Sequence, residues 1–271
     1  MKNQSNPIFI SAFLLIFLNA ALITAQEVED EREFVYDERN NNGPSRWGEL
    51  KKEWATCKNG PMQSPIDIPN QVAEAIPKSG EIRRNYKPSN ATLMNRGHDI
   101  TLKWAGDAGS IQINDTVYLL QQLHWHAPSE HTINAKRYDM ELHMIHMSPD
   151  LNVKNRIVVV GILYKIGQSD VFLSKLSRNI APLMDGLKEN SAGKVDPRDI
   201  KVGGTRYYMY TGSLTMPPCS EEVIWIIKEE VATVSQEQIN FLRDTVHDYA
   251  QSNARPLQPL NRREIHLYGL M

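Results

Sequence analysis

The sequence predicts a mainly β fold, a single domain of strands with short helices at its periphery. Three long segments, 117–123, 140–147 and 156–166, are rich in the β-branched and aromatic residues that favour strands. The third is apolar at almost every position, as in a strand buried on both faces. Only two segments space their apolar residues as a helix does, and no internal repeat or second linker divides the chain.

Shorter segments extend this pattern along the chain. Ile111 and Ile113 alternate with polar residues, and 206–210 and 223–228 are two more β-rich runs. The apolar residues that predict the two helices are Leu173, Leu176, Ile180 and Leu183 in the first, and Ile239, Leu242, Val246 and Tyr249 in the second. Ser235 and Gln238 precede the second helix as a capping box, in which each side chain bonds the other residue's backbone amide.

The N-terminus has the composition of a secretory signal peptide. Lys2 gives a positive start, the stretch from Ile8 to Ala25 is almost wholly apolar, and a polar run follows. A retained membrane anchor is the alternative, since the stretch is just long enough to span a bilayer. We expect a signal peptide over 1–25, an acidic and weakly ordered arm over 26–33, and one domain over 34–271.

Secretion determines how the cysteines and two asparagines are interpreted. Cys57 and Cys219 are the only cysteines, and in an oxidising compartment a disulfide is the simplest prediction, with two buried thiols as the alternative. Asn90 and Asn114 begin N-x-T sequons and could carry glycans if exposed.

The formal net charge of −2 gives no basic surface, so no nucleic-acid partner is expected. After removal of the signal no membrane attachment is expected either.

Three histidines, His124, His126 and His143, carry the strongest functional signal. Side chains alternate along a strand, so His124 and His126 should share one face. His143, from a neighbouring strand, would complete a set of three nitrogen donors. Zinc accepts such a triad, and in catalytic sites its fourth position stays open for water. The sequence therefore predicts a catalytic zinc site.

The cupin β-barrels are a rival explanation of the same residues. His124, His126 and Glu130 also form H-x-H-x-x-x-E, the metal-binding motif of that fold. A cupin would carry glycine where this chain has Tyr118, and a later P-x-G-x-x-H element that this sequence lacks. Both departures disfavour a cupin.

The sequence resembles the α-class carbonic anhydrases from about Phe34 to Leu260. The motifs that carry the resemblance are Gln63–Ile68, Asn95–His98, His124–His126, Ser129–Thr132, Glu141–His146, Tyr210–Cys219 and Asn253–Leu260. The signal peptide, the cysteine pair and the W-H-A-P-S-E-H form are similar to the plant members. The resemblance implies a large, twisted, mostly antiparallel central β-sheet with the zinc at the floor of a conical cleft.

The resemblance also implies how the zinc ligands are held. His124, His126 and His143 would bind Zn2+. A hydrogen-bond partner would fix each ring: Gln122 for His124, Glu141 for His143 and the backbone carbonyl of Asn253 for His126.

The implied reaction is the reversible hydration of carbon dioxide by a zinc-bound hydroxide. Thr215 would accept the hydroxide's hydrogen bond and donate its own to an ionised Glu130, and His98 would export the proton. The residues of the implied apolar wall for CO2 are Ile145, Val159, Leu214 and Trp225. Met216 stands where many relatives carry threonine, which predicts a narrower, drier cleft with altered anion affinity. Arg96 replaces a common asparagine beside His98.

Two other functions are compatible with this scaffold. One is a storage or binding protein with weak or no activity, which the loss of a zinc histidine would favour, and none is lost here. The other is hydrolysis of activated esters as a side reaction.

We expect CO2 and bicarbonate as small-molecule substrates. The expected location is the extracellular space, or apoplast, and the alternative is the plastid stroma, reached through the secretory pathway. The sequence indicates no oligomeric state.

Overall fold

The computed structural model describes Glu27 and residues 33–71, 73–77, 82–184, 188–202, 204–246 and 252–270. The predicted signal peptide lies outside these residues, as does the predicted arm apart from Glu27 and Glu33.

The strands within the described ranges are β1 Asp67–Ile68, β2 Ala73–Pro77, β3 Arg83–Tyr86, β4 Ser89–Asn95, β5 Ile100–Trp104, β6 Gly109–Ile113, β7 Thr116–His126, β8 Thr132–Ile133, β9 Lys136–Arg137, β10 Met140–Met147, β11 Ile157–Ile166, β12 Glu189–Val195, β13 Tyr207–Ser213, β14 Glu221–Lys228, β15 Ala232–Val234 and β16 Ile265–Leu270. The α-helices are α1 Trp47–Leu50, α2 Thr56–Asn59, α3 Val171–Met184 and α4 Gln236–Val246. Short 3₁₀ turns are Pro44–Arg46, Lys52–Trp54 and Pro197–Asp199. No helix in the described ranges is long and apolar enough to cross a membrane.

One large sheet organises the domain. Its 13 strands follow the order β12-β4-β5-β7-β10-β11-β14-β13-β16-β2, with β6 paired to β7 and β3, and β15 paired to β11. Most neighbours are antiparallel, while β11–β14, β11–β15 and β16–β2 are parallel. A separate three-stranded sheet consists of β1, β8 and β9. The predicted mainly β fold with a mostly antiparallel central sheet is confirmed.

Strand β11 separates two halves of the core. It is buried from Ile157 to Tyr164, as its apolar sequence predicts. Alternate side chains enter different clusters: Val158 and Val160 pack in the cluster that includes the apolar residues of α3 and α4, while Val159 packs in the cluster around Trp225. Because side chains alternate along the strand, one face of the sheet packs against the helices and the opposite face is left for the functional site.

Both predicted helices are present. Helix α3 buries Leu173, Leu176, Ile180 and Leu183, and α4 buries Ile239 and Leu242. The capping box is confirmed: the Gln238 amide donates to the Ser235 hydroxyl at 3.3 Å, and the Ser235 amide donates to the Gln238 side chain at 3.2 Å. Tyr249, predicted on the same helix, lies outside the described residues.

The disulfide joins the N-terminal segment to the loop after β13. Cys57 and Cys219 are bonded across 162 positions of sequence, which confirms the predicted bridge. Both are buried in a small cluster that also contains Phe34, Tyr36, Trp47, Trp54 and Met216. The bridge therefore fixes an aromatic segment that precedes the sheet.

Candidate active site

The pairing of β7 with β10 brings the three histidines together. In this antiparallel register His143 lies opposite His124, and Glu141 lies opposite His126. Since His124 and His126 are two positions apart, all three side chains share one face of the sheet. Their ring centroids are 4.6 to 5.2 Å apart, and one nitrogen from each lies within 4.8 Å of the others.

Each ring is anchored through the nitrogen that faces away from this common point. Nδ1 of His126 lies 2.7 Å from the carbonyl oxygen of Asn253, and Nδ1 of His124 lies 3.3 Å from Oε1 of Gln122. Nε2 of His143 lies 2.9 Å from Oε1 of Glu141. These oxygens only accept hydrogen bonds, so each anchored nitrogen carries the proton and the opposite nitrogen keeps its lone pair.

The donor atoms that remain fit a metal ion. Nε2 of His124 and Nε2 of His126 are buried and have no hydrogen-bond partner. Burial lowers the pKa of both residues because it penalises the imidazolium form, and for His124 the nearby Arg96 lowers the pKa further. Both rings are thus held neutral, the form in which imidazole binds metals.

A second group of potential ligands, His131, Glu141 and His143, is a hydrogen-bonded support instead. Oε1 of Glu141 accepts from His131 at 2.8 Å and from His143 at 2.9 Å, while its Oε2 accepts from the backbone amides of Glu130 and His131. Burial alone would raise the pKa of Glu141, but the two histidines outweigh it and hold that pKa well below its ordinary value. Glu141 therefore stays ionised and fixes the ring of His143.

Glu130 lies beside the histidines and is fully buried. Its Oε2 is 3.6 Å from Nε2 of His126 and 4.0 Å from Nδ1 of His143. Its Oε1 accepts from the backbone amide of Arg255 at 2.8 Å, and the Thr215 side chain also hydrogen-bonds the carboxylate. Burial raises the pKa of Glu130 to about 7, against the opposing effects of His143, Thr215 and the Arg255 amide.

The residues expected to form the apolar wall lie together, and Met216 lies apart from them. Four of its residues pack in one buried cluster: Ile145, Val159, Leu214 and Trp225. The Trp225 ring centroid lies 4.8 Å from that of His143, so this cluster reaches the histidines. Met216 is fully buried in the other cluster, with Phe34 and the disulfide.

His98 packs against the N-terminal segment. Its Nε2 lies 2.6 Å from the carbonyl oxygen of Phe34, and its ring centroid is 5.4 Å from the rings of both Phe34 and Tyr36. A carbonyl oxygen only accepts, so Nε2 carries the proton of the neutral ring and Nδ1 is its acceptor. The His98 carbonyl accepts from the Asn253 side chain at 2.9 Å, which ties it to the residue that anchors His126.

Sequence reasoning missed two charged residues around the site. Arg255 is buried, and its guanidinium donates to Gln63, to the Ser64 carbonyl and to the Cys57 carbonyl. Its place inside the Asn253–Leu260 motif was an available signal. Glu27, from the predicted arm, hydrogen-bonds Arg96 and Gln122, and no motif marked it.

Both predicted glycosylation positions are accessible. Asn90 and Asn114 are exposed, the latter in the turn between β6 and β7.

Fold and site together define a protein with a buried three-histidine site of the kind that holds catalytic zinc. The chain belongs to the eukaryotic-type carbonic anhydrase family, whose model matches residues 42–269. It is therefore a carbonic anhydrase, a member of an enzyme family that in general hydrates carbon dioxide and depends on zinc.

Plant enzymes are among its similar relatives. Alpha carbonic anhydrase 7 of Arabidopsis thaliana is 49% identical over 259 residues, which is 95% of this chain and 93% of that protein. Carbonic anhydrase Nec1 of Nesocodon mauritianus is 50% identical over 267 residues, 97% and 96% of the two chains. The solved structure of dioscorin complexed with ascorbate superposes with a TM-score of 0.84 at 40% identity, covering 88% of this chain and 98% of that one.

Proposed function

We propose that this chain is an active carbonic anhydrase in which His124, His126 and His143 hold one zinc ion. The observation that carries the proposal is the pair of buried imidazole nitrogens without hydrogen-bond partners, in rings whose other nitrogen is anchored. Leaving such atoms buried and unsatisfied costs free energy, which a bound metal ion would offset.

Zinc, when bound, lowers the pKa of its water to about 7, a value known from carbonic anhydrases as a class and not a result of this geometry. Imidazole ligands would add no negative charge to the ion, so a bound zinc would remain a strong Lewis acid. The anchored rings need no reorganisation on binding, because the tautomer that each ligand requires is already selected.

Thr215 and Glu130 would orient the attacking oxygen. An ionised Glu130 carboxylate only accepts hydrogen bonds. The Thr215 hydroxyl must therefore donate its hydrogen bond to that carboxylate, which leaves its lone pairs facing the site. Burial raises the pKa of Glu130 to about 7, while a dication beside it would lower that pKa again and favour the ionised form. A fixed acceptor of this kind aims one lone pair of the attacking oxygen at the substrate.

The cluster around Trp225 would receive carbon dioxide. The substrate is uncharged and apolar, and Val159 and Leu214 pack in one buried cluster with Trp225, whose ring lies beside His143. Such a wall excludes competing water while it binds the substrate weakly.

His98 would carry the product proton away. Histidine in general titrates close to neutral pH, so it can take and release a proton at little cost. With Nε2 bonded to the Phe34 carbonyl, Nδ1 is the atom that would accept the incoming proton.

We also propose that the chain enters the secretory pathway and acts outside the cell, with the plastid as the alternative. The N-terminal composition, the disulfide and the exposed sequons at Asn90 and Asn114 support this proposal. Microscopy of the tagged full-length protein, with a glycosidase mobility shift, would test both the compartment and the glycans.

A storage or binding role remains the second candidate, since a solved relative, dioscorin, holds ascorbate on this fold. The decisive experiment measures zinc content and CO2 hydration on one purified sample, beside His143→Ala and a matched control, His266→Ala, at a histidine outside the site. One zinc per chain and fast hydration, both lost only in His143→Ala, would support the enzyme. A zinc-free or zinc-loaded but inactive wild type would favour the binding role.

A further inference from the structure

The carboxylate of Glu27 lies against the ring of a proposed zinc ligand, although Glu27 precedes the domain. It is almost fully buried. Its Oε2 is 3.0 Å from a terminal nitrogen of Arg96, 2.9 Å from Nε2 of Gln122 and 3.8 Å from Nδ1 of His124.

Arg96 is held in place by Asp99, independently of its contact with Glu27. Its guanidinium is held by Asp99, with Nε 2.8 Å from Oδ1 and a second bond to Oδ2. Asp99 in turn accepts from the Thr101 hydroxyl at 3.1 Å. A guanidinium is planar and its donors are rigidly directed, so this bidentate pair aims a remaining N–H at Glu27.

Glu27 determines which way the amide of Gln122 faces. An amide has a donor end and an acceptor end, whereas an ionised carboxylate only accepts. The NH2 of Gln122 must therefore face Glu27, which turns its Oε1 toward Nδ1 of His124. A reversed amide would present NH2 to Nδ1 and favour the other tautomer of His124, in which Nε2 is protonated and cannot bind a metal.

We propose that Glu27 is a positioning residue for the metal site, acting through Gln122 to select the metal-binding tautomer of His124. This inference rests on the proposed zinc function, which it deepens by adding a residue from outside the domain. It implies that the mature chain keeps Glu27, as cleavage near Ala25 would allow. A secreted chain whose intact mass shows that Glu27 has been removed would overturn it.

The first test is a mutant cycle with zinc affinity as the readout, measured by competition with a chelator. Loss of a partner that holds a ligand ring typically costs about 10- to 100-fold in metal affinity, which is the range expected for Gln122→Ala. Glu27→Ala should weaken zinc by roughly 10-fold in the native background and have no further effect in Gln122→Ala. An effect of equal size in both backgrounds would overturn the inference.

Two variants separate positioning from charge. Glu27→Gln keeps an oxygen that Arg96 and Gln122 can share, so it should retain most of the zinc affinity, and affinity as low as in Glu27→Ala would overturn the inference. Glu33→Ala is the matched control, since it removes an exposed carboxylate from the same arm, paired only with Lys51 in the described structure. Its zinc affinity should equal that of the wild type.

The second test needs no metal. In the zinc-free protein, ring nitrogen shifts measured by NMR should show Nδ1-protonated His124 in the wild type and a rising share of the other tautomer in Glu27→Ala. An unchanged tautomer in Glu27→Ala would overturn the inference even if the wild type binds zinc. Failure of the wild type to bind zinc would refute the proposed function, and the tautomer would still decide the role of Glu27.

Discussion

Removal of the Cys57–Cys219 bridge should destabilise the fold while leaving the zinc site intact. The bridge closes a loop across 162 positions of sequence and joins two residues of the aromatic cluster near Phe34, whereas the three histidines lie on strands β7 and β10. The perturbation is the double variant Cys57→Ala/Cys219→Ala. Alanine is chosen because both positions are buried and a serine hydroxyl there would need a partner.

The loop length sets how much the free energy of unfolding should fall when the bridge is removed. For a loop of this size the entropy lost by the unfolded chain corresponds to about 5 kcal/mol at 25 °C, and measured losses of native disulfides fall at about 2–5 kcal/mol. In a domain of this length each kcal/mol shifts the melting temperature by roughly 2–4 °C. The double variant should therefore melt about 4–20 °C below the wild type.

The assay is thermal unfolding of both proteins, each with and without reductant, with zinc content measured on the folded samples. Reductant should lower the wild-type melting temperature toward that of the variant and leave the variant unchanged. Equal melting temperatures for wild type and variant would refute the loop argument. Loss of zinc from the folded variant would show that the bridge also supports the metal site.

The remaining predictions concern the site itself. Glu130→Gln should keep zinc but slow CO2 hydration by on the order of 10²-fold, because the Thr215 hydroxyl is then no longer committed to a carboxylate; an unchanged rate would remove Glu130 from the mechanism. In the zinc-free protein burial raises the pKa of Glu130 from 4.5 to about 7, so the free energy of unfolding should fall as pH rises through that window, and denaturant titrations of Glu130→Gln should lack this part of the slope. His98→Ala should slow turnover most in dilute buffer and recover with added imidazole, whereas rates independent of buffer would mean that the proton leaves by another route. Met216→Thr should lower the free energy of unfolding, measured by denaturant titration, by about 2 kcal/mol or more, because a fully buried thioether is replaced by a smaller polar side chain. Unchanged anion inhibition in the same variant would assign Met216 to packing alone.

The sequence alone determined those features that depend on neighbours along the chain. Alternation in β7 placed His124 and His126 on one face, the apolar run of β11 predicted its burial, and the Ser235–Gln238 pair predicted the start of α4. Each follows from the geometry of a single strand or helix, which repeats every few residues and can be seen in the order of side chains.

Only the tertiary structure decided what meets across long separations. The register of β7 on β10 set His143 opposite His124, and the parallel pairing of β11 with β14 brought Trp225 beside the histidines. The anchor of His126 is a backbone carbonyl, which every residue possesses, so the family resemblance implied it but no pattern of side chains in this sequence identifies it. Glu27 lies in an acidic segment without any motif, 95 positions before Gln122, and only the fold brings the two side chains into contact. Such contacts depend on how many weak interactions sum over the whole chain, and their geometry therefore leaves no local trace in the sequence.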